Sequence, residues 1–175
     1  MKEVVVDVET GGLNPVSNAL CSVTMKYLNE DKILNIFIKP SSLGYNDAAM
    51  KINGLTLDFL EEKGVSEVEA VQQIVDFFDS ERVEIIGHNV SFDFNFLSEL
   101  FRRVGENISD YISHHKFDTV SLAMILRKRG IKDFKSLSLG NIYKDLFDED
   151  ILNQHSSLAD VLATERIFNS MNDLL

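Results

Sequence analysis

The sequence predicts an α/β protein with three layers, in which helices cover both sides of one mixed β-sheet. The first third of the chain contains three β-rich segments separated by turn residues, and the remainder alternates between helical and strand patterns. The order βββ-α-β-α-β-α-α is typical of a sheet that begins with an antiparallel meander. The length of 175 residues fits a single domain over residues 1–175.

Three strands are predicted at the start of the chain. The first, Val4 to Glu9, is rich in β-branched residues and is followed by glycines and a proline. Residues 20–28 and 33–38 form the next two strands. Because residues 29–32 have a turn-like composition, we expect these two strands to form a hairpin, which ends at Pro40.

The remainder of the chain predicts helices that alternate with short strands. Ser66 and Glu69 form a capping box that begins a helix, and we expect its apolar face to contain Val68, Val71, Ile74, Val75 and Phe78. Strands are predicted at Val83 to Gly87 and near residues 112–117. The other predicted helices cover residues 46–53, closed by Gly54, a segment capped by Ser91, Asp118 to about Arg129, residues 136–147, and Ser157 to Met171.

The composition is average for a globular protein except for its charge. Seventeen basic and 28 acidic residues give a net charge of −11, which argues against a broad electropositive face for gripping a nucleic acid backbone. The single cysteine, Cys21, cannot form an internal disulfide. Because the N-terminus lacks a signal-peptide pattern and no apolar run approaches about 18 residues, we expect a cytoplasmic protein that does not span a membrane.

Two acids lie on the first strand. Asp7 and Glu9 are two residues apart, so their side chains share one face of the strand, opposite Val4, Val6 and Val8. Two like charges on a buried strand are costly unless something neutralises them. These residues alone leave open whether the carboxylates are neutralised or extend past the sheet into water.

Two more acids precede or begin helices. Asp93 lies in the first turn of a helix, where an acid offsets the helix dipole, but it shares the core-facing stripe of that helix and follows a strand end, where open α/β sheets bind ligands. Asp160 follows Ser157 at capping-box spacing, and His155 lies five residues before it. Four carboxylates gathered in one cleft would need hard divalent cations as compensation, and a neutral histidine beside them could accept a proton.

Three segments resemble the exonuclease motifs of the DEDD 3′–5′ exonucleases, namely DVETGGL (7–13), GHNVSFDFNFL (87–97) and HSSLAD (155–160). The histidine in the last motif makes the chain similar to the DEDDh (DnaQ-like) branch. The resemblance covers almost the whole chain, because KINGLT (51–56), FDTVSLAMIL (117–126) and SLSLGNIY (136–143) also look like segments of that family.

This resemblance implies an RNase H-like fold with a five-stranded mixed sheet and hydrolysis of nucleotides from a 3′ end to nucleoside 5′-monophosphates. By family role, two Mg²⁺ or Mn²⁺ ions are held by Asp7, Glu9, Asp93 and Asp160, and His155 is the general base. Thr10, Gly11 and Leu13 match the pocket for the terminal nucleotide, with Leu13 as an apolar wedge. The other wall of that pocket is matched less specifically by His88, Asn89 and Phe92.

We expect an exonuclease that acts on single-stranded DNA ends in proofreading, repair or end trimming, but the motifs leave alternatives open. An exoribonuclease similar to RNase T or oligoribonuclease shares the same motifs, and an inactive module that binds nucleic acid or a partner protein is a third hypothesis. Ser157 stands where alanine is commoner in the family, without loss of a ligand. The end of the chain at Leu175 favours a free-standing nuclease, although an association with a polymerase stays open.

Overall fold

A computed structural model describes residues 1–40 and 43–175 and contains a five-stranded mixed sheet. The strands are β1 (Lys2–Thr10), β2 (Leu20–Tyr27), β3 (Ile33–Phe37), β4 (Val83–Gly87) and β5 (Ile112–Asp118). Their order across the sheet is β3-β2-β1-β4-β5. The β1, β2 and β3 strands pair antiparallel as the predicted meander, whereas β4 and β5 run parallel to β1. The predicted sheet is therefore confirmed, with β1 at its centre.

Helices pack on both faces of the sheet. They are α1 (Asp47–Asn53), α2 (Leu57–Lys63), α3 (Glu67–Phe77), α4 (Val90–Arg103), α5 (Thr119–Lys128), α6 (Leu139–Phe147) and α7 (Ser157–Asn172), with a 3₁₀ turn at Ile108–Asp110. In the described part of the chain, no helix is long and apolar enough to cross a membrane.

Several local predictions about helix boundaries were wrong. The α2 helix was not predicted, although the Thr56 side chain caps it by accepting a hydrogen bond from the amide of Phe59. Ser91 does not cap α4. That helix begins at Val90, after Asn89 takes a left-handed conformation with φ 66° and makes no side-chain cap bond. The helix predicted from residue 136 begins three residues later, at Leu139.

The capping box of α3 is confirmed, but its predicted apolar face needs one correction. Ser66 and Glu69 make both reciprocal hydrogen bonds. Val71, Ile74 and Phe78 are buried as expected, whereas Val68 is 67% exposed. At 100° per residue, Val68 lies roughly 120° around the helix from the centre of the buried stripe, so it faces water.

The central strand is buried on both faces. Val4, Val6 and Val8 pack into the larger core, beneath α3 and α4. On the other face, Val5 packs against Val161 and Phe168 of α7 and Ile86 of β4. Because side chains alternate along a strand, Asp7 and Glu9 lie on the Val5 face, under the first turn of α7.

An ion pair ties the middle of α7 to β2. Glu165 Oε1 lies 2.6 Å from Lys26 Nζ and accepts a hydrogen bond of 2.7 Å from the amide of Asn29. Lys26 is buried, so this pair is shielded from solvent. The helix that carries Asp160 is therefore held directly on the strand beside β1.

Candidate active site

Three acids from the first strand and the last helix converge. Asp7 and Glu9 project from β1, where they pair across the antiparallel ladder with Thr24 and Ser22. Asp160, in the first turn of α7, lies over the same face of the sheet. One carboxylate oxygen from each of Asp7, Glu9 and Asp160 lies within 4.8 Å of the others. The structure thus brings together residues that are more than 150 positions apart in the chain.

Asp93 stands beside this cluster and is not one of its three members. It lies in the first turn of α4 and is 4% exposed. Its Oδ1 accepts a hydrogen bond of 3.1 Å from the amide of Val8, the residue between Asp7 and Glu9. Repulsion from Asp93 contributes to the raised pKa of Asp7, so the fourth predicted acid is electrostatically part of the site.

Burial disfavours the ionised form of all four acids, and repulsion from neighbouring carboxylates adds to this effect for Asp7, Glu9 and Asp93. Burial, followed by repulsion from Asp93, Glu9 and Asp160, raises the pKa of Asp7 well above its ordinary value. Burial first and Asp160 second raise the pKa of Glu9 to about 8. Burial is also the largest cause for Asp93, whose pKa rises to about 8, and for Asp160, whose pKa is raised. Hydrogen bonds lower the pKa of Asp93 and Asp160 in part, but the net shift is upward for each acid, so the protein alone compensates these charges incompletely.

The donor set fits a hard divalent cation. All four side chains offer carboxylate oxygens, the ligands that Mg²⁺ and Mn²⁺ prefer. Oδ1 of Asp160 is buried and has no hydrogen-bond partner in the described part of the chain. Its Oδ2 accepts a bond of 3.2 Å from the amide of His155, which fixes the orientation of the carboxylate. One oxygen is thus held by the protein and the other is free to bind a cation.

His155 lies at the rim of the acidic cluster. It is exposed, in the loop before α7, and adopts a left-handed conformation with φ 72°, which is unusual for a residue other than glycine. His155 and Glu9 line the same cavity, which has a volume of about 120 Å³. The predicted general base is therefore placed next to the carboxylates and open to solvent.

A larger cavity of about 370 Å³ lies on the other side of Glu9. Among the residues predicted to bind substrate, Thr10, Leu13 and Phe92 line it. Leu13 is 84% exposed, and its role as an apolar wedge stays a prediction. The Thr10 hydroxyl donates a hydrogen bond of 2.7 Å to the carbonyl of Gly12 and so stabilises the turn that follows β1.

The wall formed by α1 was not predicted as part of the site. Ala48, Ala49, Ile52 and Asn53 line the large cavity, and Ile52 is 62% exposed although it is strongly apolar. Asn53 also lines the small cavity, and it donates a hydrogen bond of 3.3 Å to the carbonyl of Thr10. Ile52 and Asn53 belong to the KINGLT segment (51–56), whose resemblance to the family is the sequence signal for this wall.

Gly11 was predicted to bind substrate but is not among the residues that line either cavity, and it shapes the turn after β1 through its backbone. Its amide donates to Ala19 and its carbonyl accepts from Asn46, at 2.8 and 2.9 Å. A Cβ atom at this position would lie 2.6 Å from the carbonyl oxygen of Gly44 and from the ring of Tyr45. A glycine is therefore needed to bring the β1 turn against the segment before α1.

His88 and Asn89 are not among the residues that line either cavity. The His88 ring is hydrogen-bonded to the Thr119 hydroxyl at 2.8 Å and to the Leu137 carbonyl at 3.0 Å, and burial lowers its pKa. The amide of Asn89 donates to Asp118 Oδ1 at 3.1 Å. These contacts tie the start of α4 to α5 and to the segment before α6. A direct role of either residue in substrate binding stays a prediction.

The sheet order and the acids at the end of its central strand define the class of RNase H-like nucleases. The chain belongs to the RNase_T exonuclease family, whose model matches residues 4–168. This membership confirms the resemblance to the DEDDh 3′–5′ exonucleases and the predicted enzyme class, a 3′–5′ exonuclease. The family requires divalent metals, and the acidic cluster agrees with that requirement.

Two relatives differ greatly in the share of their length that this chain covers. Ribonuclease T of Haemophilus ducreyi is 28% identical over 184 residues, which is 96% of this chain and 83% of the relative. DNA polymerase III PolC-type of Mycoplasmopsis pulmonis is 32% identical over 146 residues, which is 82% of this chain and only 9% of the polymerase. The chain thus corresponds to nearly all of one relative and to a small part of the other.

The solved structures confirm the fold. Exonuclease I superimposes with a TM-score of 0.85 at 22% identity, and the match covers 98% of this chain and 41% of exonuclease I. The E. coli exonuclease I complex with a dT13 oligonucleotide gives a TM-score of 0.81 at 20% identity, over 95% of this chain and 40% of that one. The chain therefore spans about two fifths of exonuclease I.

Proposed function

We propose that the protein hydrolyses the terminal phosphodiester at the 3′ end of single-stranded DNA and releases nucleoside 5′-monophosphates. Asp7, Glu9, Asp93 and Asp160 would hold two Mg²⁺ or Mn²⁺ ions, and His155 would act as the general base. The observation that carries the proposal is the convergence of Asp7, Glu9 and Asp160 within 4.8 Å, with one buried oxygen of Asp160 lacking a partner. A cytoplasmic location is part of the proposal.

Divalent cations bound here would neutralise charge on the scissile phosphate and stabilise the attacking and leaving oxygens. The protein's own contribution is to present carboxylates whose raised pKa values disfavour a metal-free, fully ionised site. His155, exposed beside Glu9, accepts the proton of the attacking water and exchanges it with solvent. The hydrogen bond from its backbone amide to Asp160 holds the His155 backbone next to that carboxylate.

The cavity of about 370 Å³ beside Glu9 fits the sugar and base of a terminal nucleotide. Phe92 offers a ring for stacking, and Leu13 and Ile52 supply apolar contacts without base specificity. With a net charge of −11, the protein has little capacity to grip a long duplex by its backbone. A single-stranded end, held by its last nucleotides, is the substrate that suits this surface.

Two alternatives have specific support. The ribonuclease T relatives, matched over 83% of the length of one of them, favour a 3′–5′ exoribonuclease. The match to PolC-type polymerase favours an association with a polymerase in proofreading.

DNA stays the first choice of substrate for two reasons. Exonuclease I structures hold DNA oligonucleotides. Cap18 of Escherichia coli, 33% identical over 109 residues, is a 3′–5′ DNA exonuclease.

A matched panel of substrates tests the proposal. DNA and RNA oligonucleotides of one sequence, labelled at the 5′ end, are incubated single-stranded, as duplex and with a 3′ mismatch, in Mg²⁺, Mn²⁺ or excess EDTA. We expect metal-dependent shortening from the 3′ end, fastest on single-stranded DNA, with nucleoside 5′-monophosphates identified by chromatography. Faster shortening of RNA would replace DNA by RNA as the substrate. Undiminished activity in EDTA, or release of 3′-monophosphates, would contradict the mechanism.

A further inference from the structure

A chain of buried hydroxyl groups joins the first residue of α7 to β2. Ser157 is 5% exposed, and its Oγ lies 3.0 Å from Ser22 Oγ and 2.8 Å from Thr24 Oγ1. Ser22 and Thr24 are also buried. Thr24 in turn donates a bond of 3.2 Å to Oδ1 of Asn35 on β3. These contacts connect residues separated by more than 130 positions in the chain.

The donor order of this chain follows from the number of hydrogens. A hydroxyl has one hydrogen to donate, and the hydrogen of Thr24 goes to Asn35. Ser157 must therefore donate to Thr24, and Ser22 must donate to Ser157. Hydrogen bonds that run in one direction polarise each other, and a buried hydroxyl without a partner is costly. The arrangement therefore fixes the position of Ser157 relative to β2.

The hydroxyl chain lies beside the acidic cluster. Ser22 and Thr24 are the direct cross-strand partners of Glu9 and Asp7, and residues opposite each other in an antiparallel pair share one face of the sheet. Asp160 is three residues after Ser157, so both side chains point from the same side of α7 toward the sheet. The hydroxyl chain holds the helix turn that carries Asp160 above the strand that carries Asp7 and Glu9.

Side-chain capping does not hold this turn. The N-cap residue, Ser156, makes no side-chain cap hydrogen bond. The loop before it contains Asp148, Asn153 and His155 in left-handed conformations, which cost energy for residues other than glycine. The hydrogen bond from the His155 amide to Asp160 joins the loop to this turn, and the hydrogen bonds of Ser157 attach the turn to β2.

We propose that Ser157 is a positioning residue that aligns Asp160 and His155 with Asp7 and Glu9 through its hydrogen bonds to Ser22 and Thr24. This role rests on the proposed function, since it concerns the geometry of the same metal and general-base groups. Ser157 itself does not ligate the cation or touch the substrate. Loss of its hydroxyl lets the first turn of α7 shift or rotate, and a displacement of about 1 Å at a catalytic group can cost on the order of 100-fold in rate.

Ser157→Ala tests the role with two separate measurements. We expect kcat to fall about 10- to 100-fold while the KM for a single-stranded oligonucleotide changes less than about threefold. We also expect the half-saturating Mn²⁺ concentration to rise about tenfold. It is measured without substrate, from the increase in the midpoint of thermal unfolding on Mn²⁺ titration. Thr24→Val removes one of the two hydrogen bonds of Ser157 and leaves that to Ser22, so its loss should be no larger than that of Ser157→Ala. The double variant should be no worse than Ser157→Ala within about twofold.

Glu165→Gln is the matched control. It weakens the other polar link between α7 and β2, about 12 Å further along the helix. This variant should lower the midpoint of thermal unfolding but keep kcat and the half-saturating Mn²⁺ concentration within about twofold of the wild type. Wild-type kcat and Mn²⁺ binding in Ser157→Ala would overturn the proposal, as would an equal loss in Glu165→Gln.

The Mn²⁺ titration separates this inference from the proposed function. If the wild type hydrolyses no substrate of the panel, the proposed function fails, but the titration still compares Ser157→Ala with Glu165→Gln. Tenfold weaker binding only in Ser157→Ala would then support the positioning of Asp160. Equal binding in the two variants would overturn it.

Discussion

Replacing Glu9 by glutamine should stabilise the metal-free protein by an amount that grows with pH. Burial and the neighbouring Asp160 raise the pKa of Glu9 from 4.5 to about 8. The folded protein therefore holds this proton more tightly than the unfolded chain does. Relative to a glutamine at this position, the wild type loses stability as the pH rises from about 4.5 to about 8. Below pH 4.5 the Glu9 side chain is protonated in both the folded and the unfolded protein, so its ionisation does not change the stability relative to the glutamine variant.

The size of the effect follows from the interval between the two pKa values. Each pH unit in that interval corresponds to 1.36 kcal/mol, so Glu9→Gln should gain about 3 kcal/mol at pH 7 and on the order of 5 kcal/mol at pH 9. At pH 5 the gain should be below about 1 kcal/mol. Saturating Mn²⁺ should reverse the order, because cation binding stabilises the wild type and the variant has lost a ligand.

Urea unfolding followed by circular dichroism in excess EDTA at pH 5, 7 and 9 measures these differences. Glu61→Gln, an exposed carboxylate outside the cluster, is the control and should differ little from the wild type at any of the three pH values. A gain in Glu9→Gln that is the same at pH 5 and pH 9, or no gain at pH 9, would refute the argument that the site is electrostatically strained without a cation.

The other predictions concern activity. Asp7→Asn should abolish metal-dependent release of mononucleotides from a 3′-hydroxyl oligonucleotide, and its circular dichroism spectrum should be unchanged. It should also raise the stability of the metal-free protein, because it relieves repulsion between carboxylates. Full activity of this variant would contradict the metal assignment. His155→Ala should slow single-turnover hydrolysis by a factor on the order of 10²–10⁴ and keep Mn²⁺ binding; loss of binding would show that His155 acts on the metal site instead. Phe92→Ala should raise the KM of single-stranded oligonucleotides about tenfold, because base stacking contributes about 1–3 kcal/mol; an unchanged KM would exclude Phe92 from the nucleotide pocket.

The local signals in the sequence predicted the secondary structure well where side-chain chemistry is strong. The β-branched run of β1 and the capping box of Ser66 and Glu69 specify their elements through short-range geometry. The start of α4 was mispredicted, because a serine at position 91 looks like a cap whereas the turn is made by the left-handed backbone of Asn89. The α2 helix was missed, since its seven residues carry too little periodicity to stand out.

The sequence by itself predicted which groups carry the chemistry. The alternation of β1 placed Asp7 and Glu9 on one face, and the resemblance of three segments to the DEDDh motifs predicted Asp93, Asp160 and His155 as site residues. Only the tertiary structure decided how these groups are arranged. Asp160 lies close to Asp7 and Glu9, whereas Asp93 lies beside them and accepts a hydrogen bond from the Val8 amide. The His88 ring is hydrogen-bonded to Thr119. The wall formed by α1 and the hydroxyl contacts of Ser157 also became visible only there. The physical reason is that the periodicity of a helix or strand sets the directions of its own side chains. The distances between side chains of different elements depend on how those elements pack across the whole sheet.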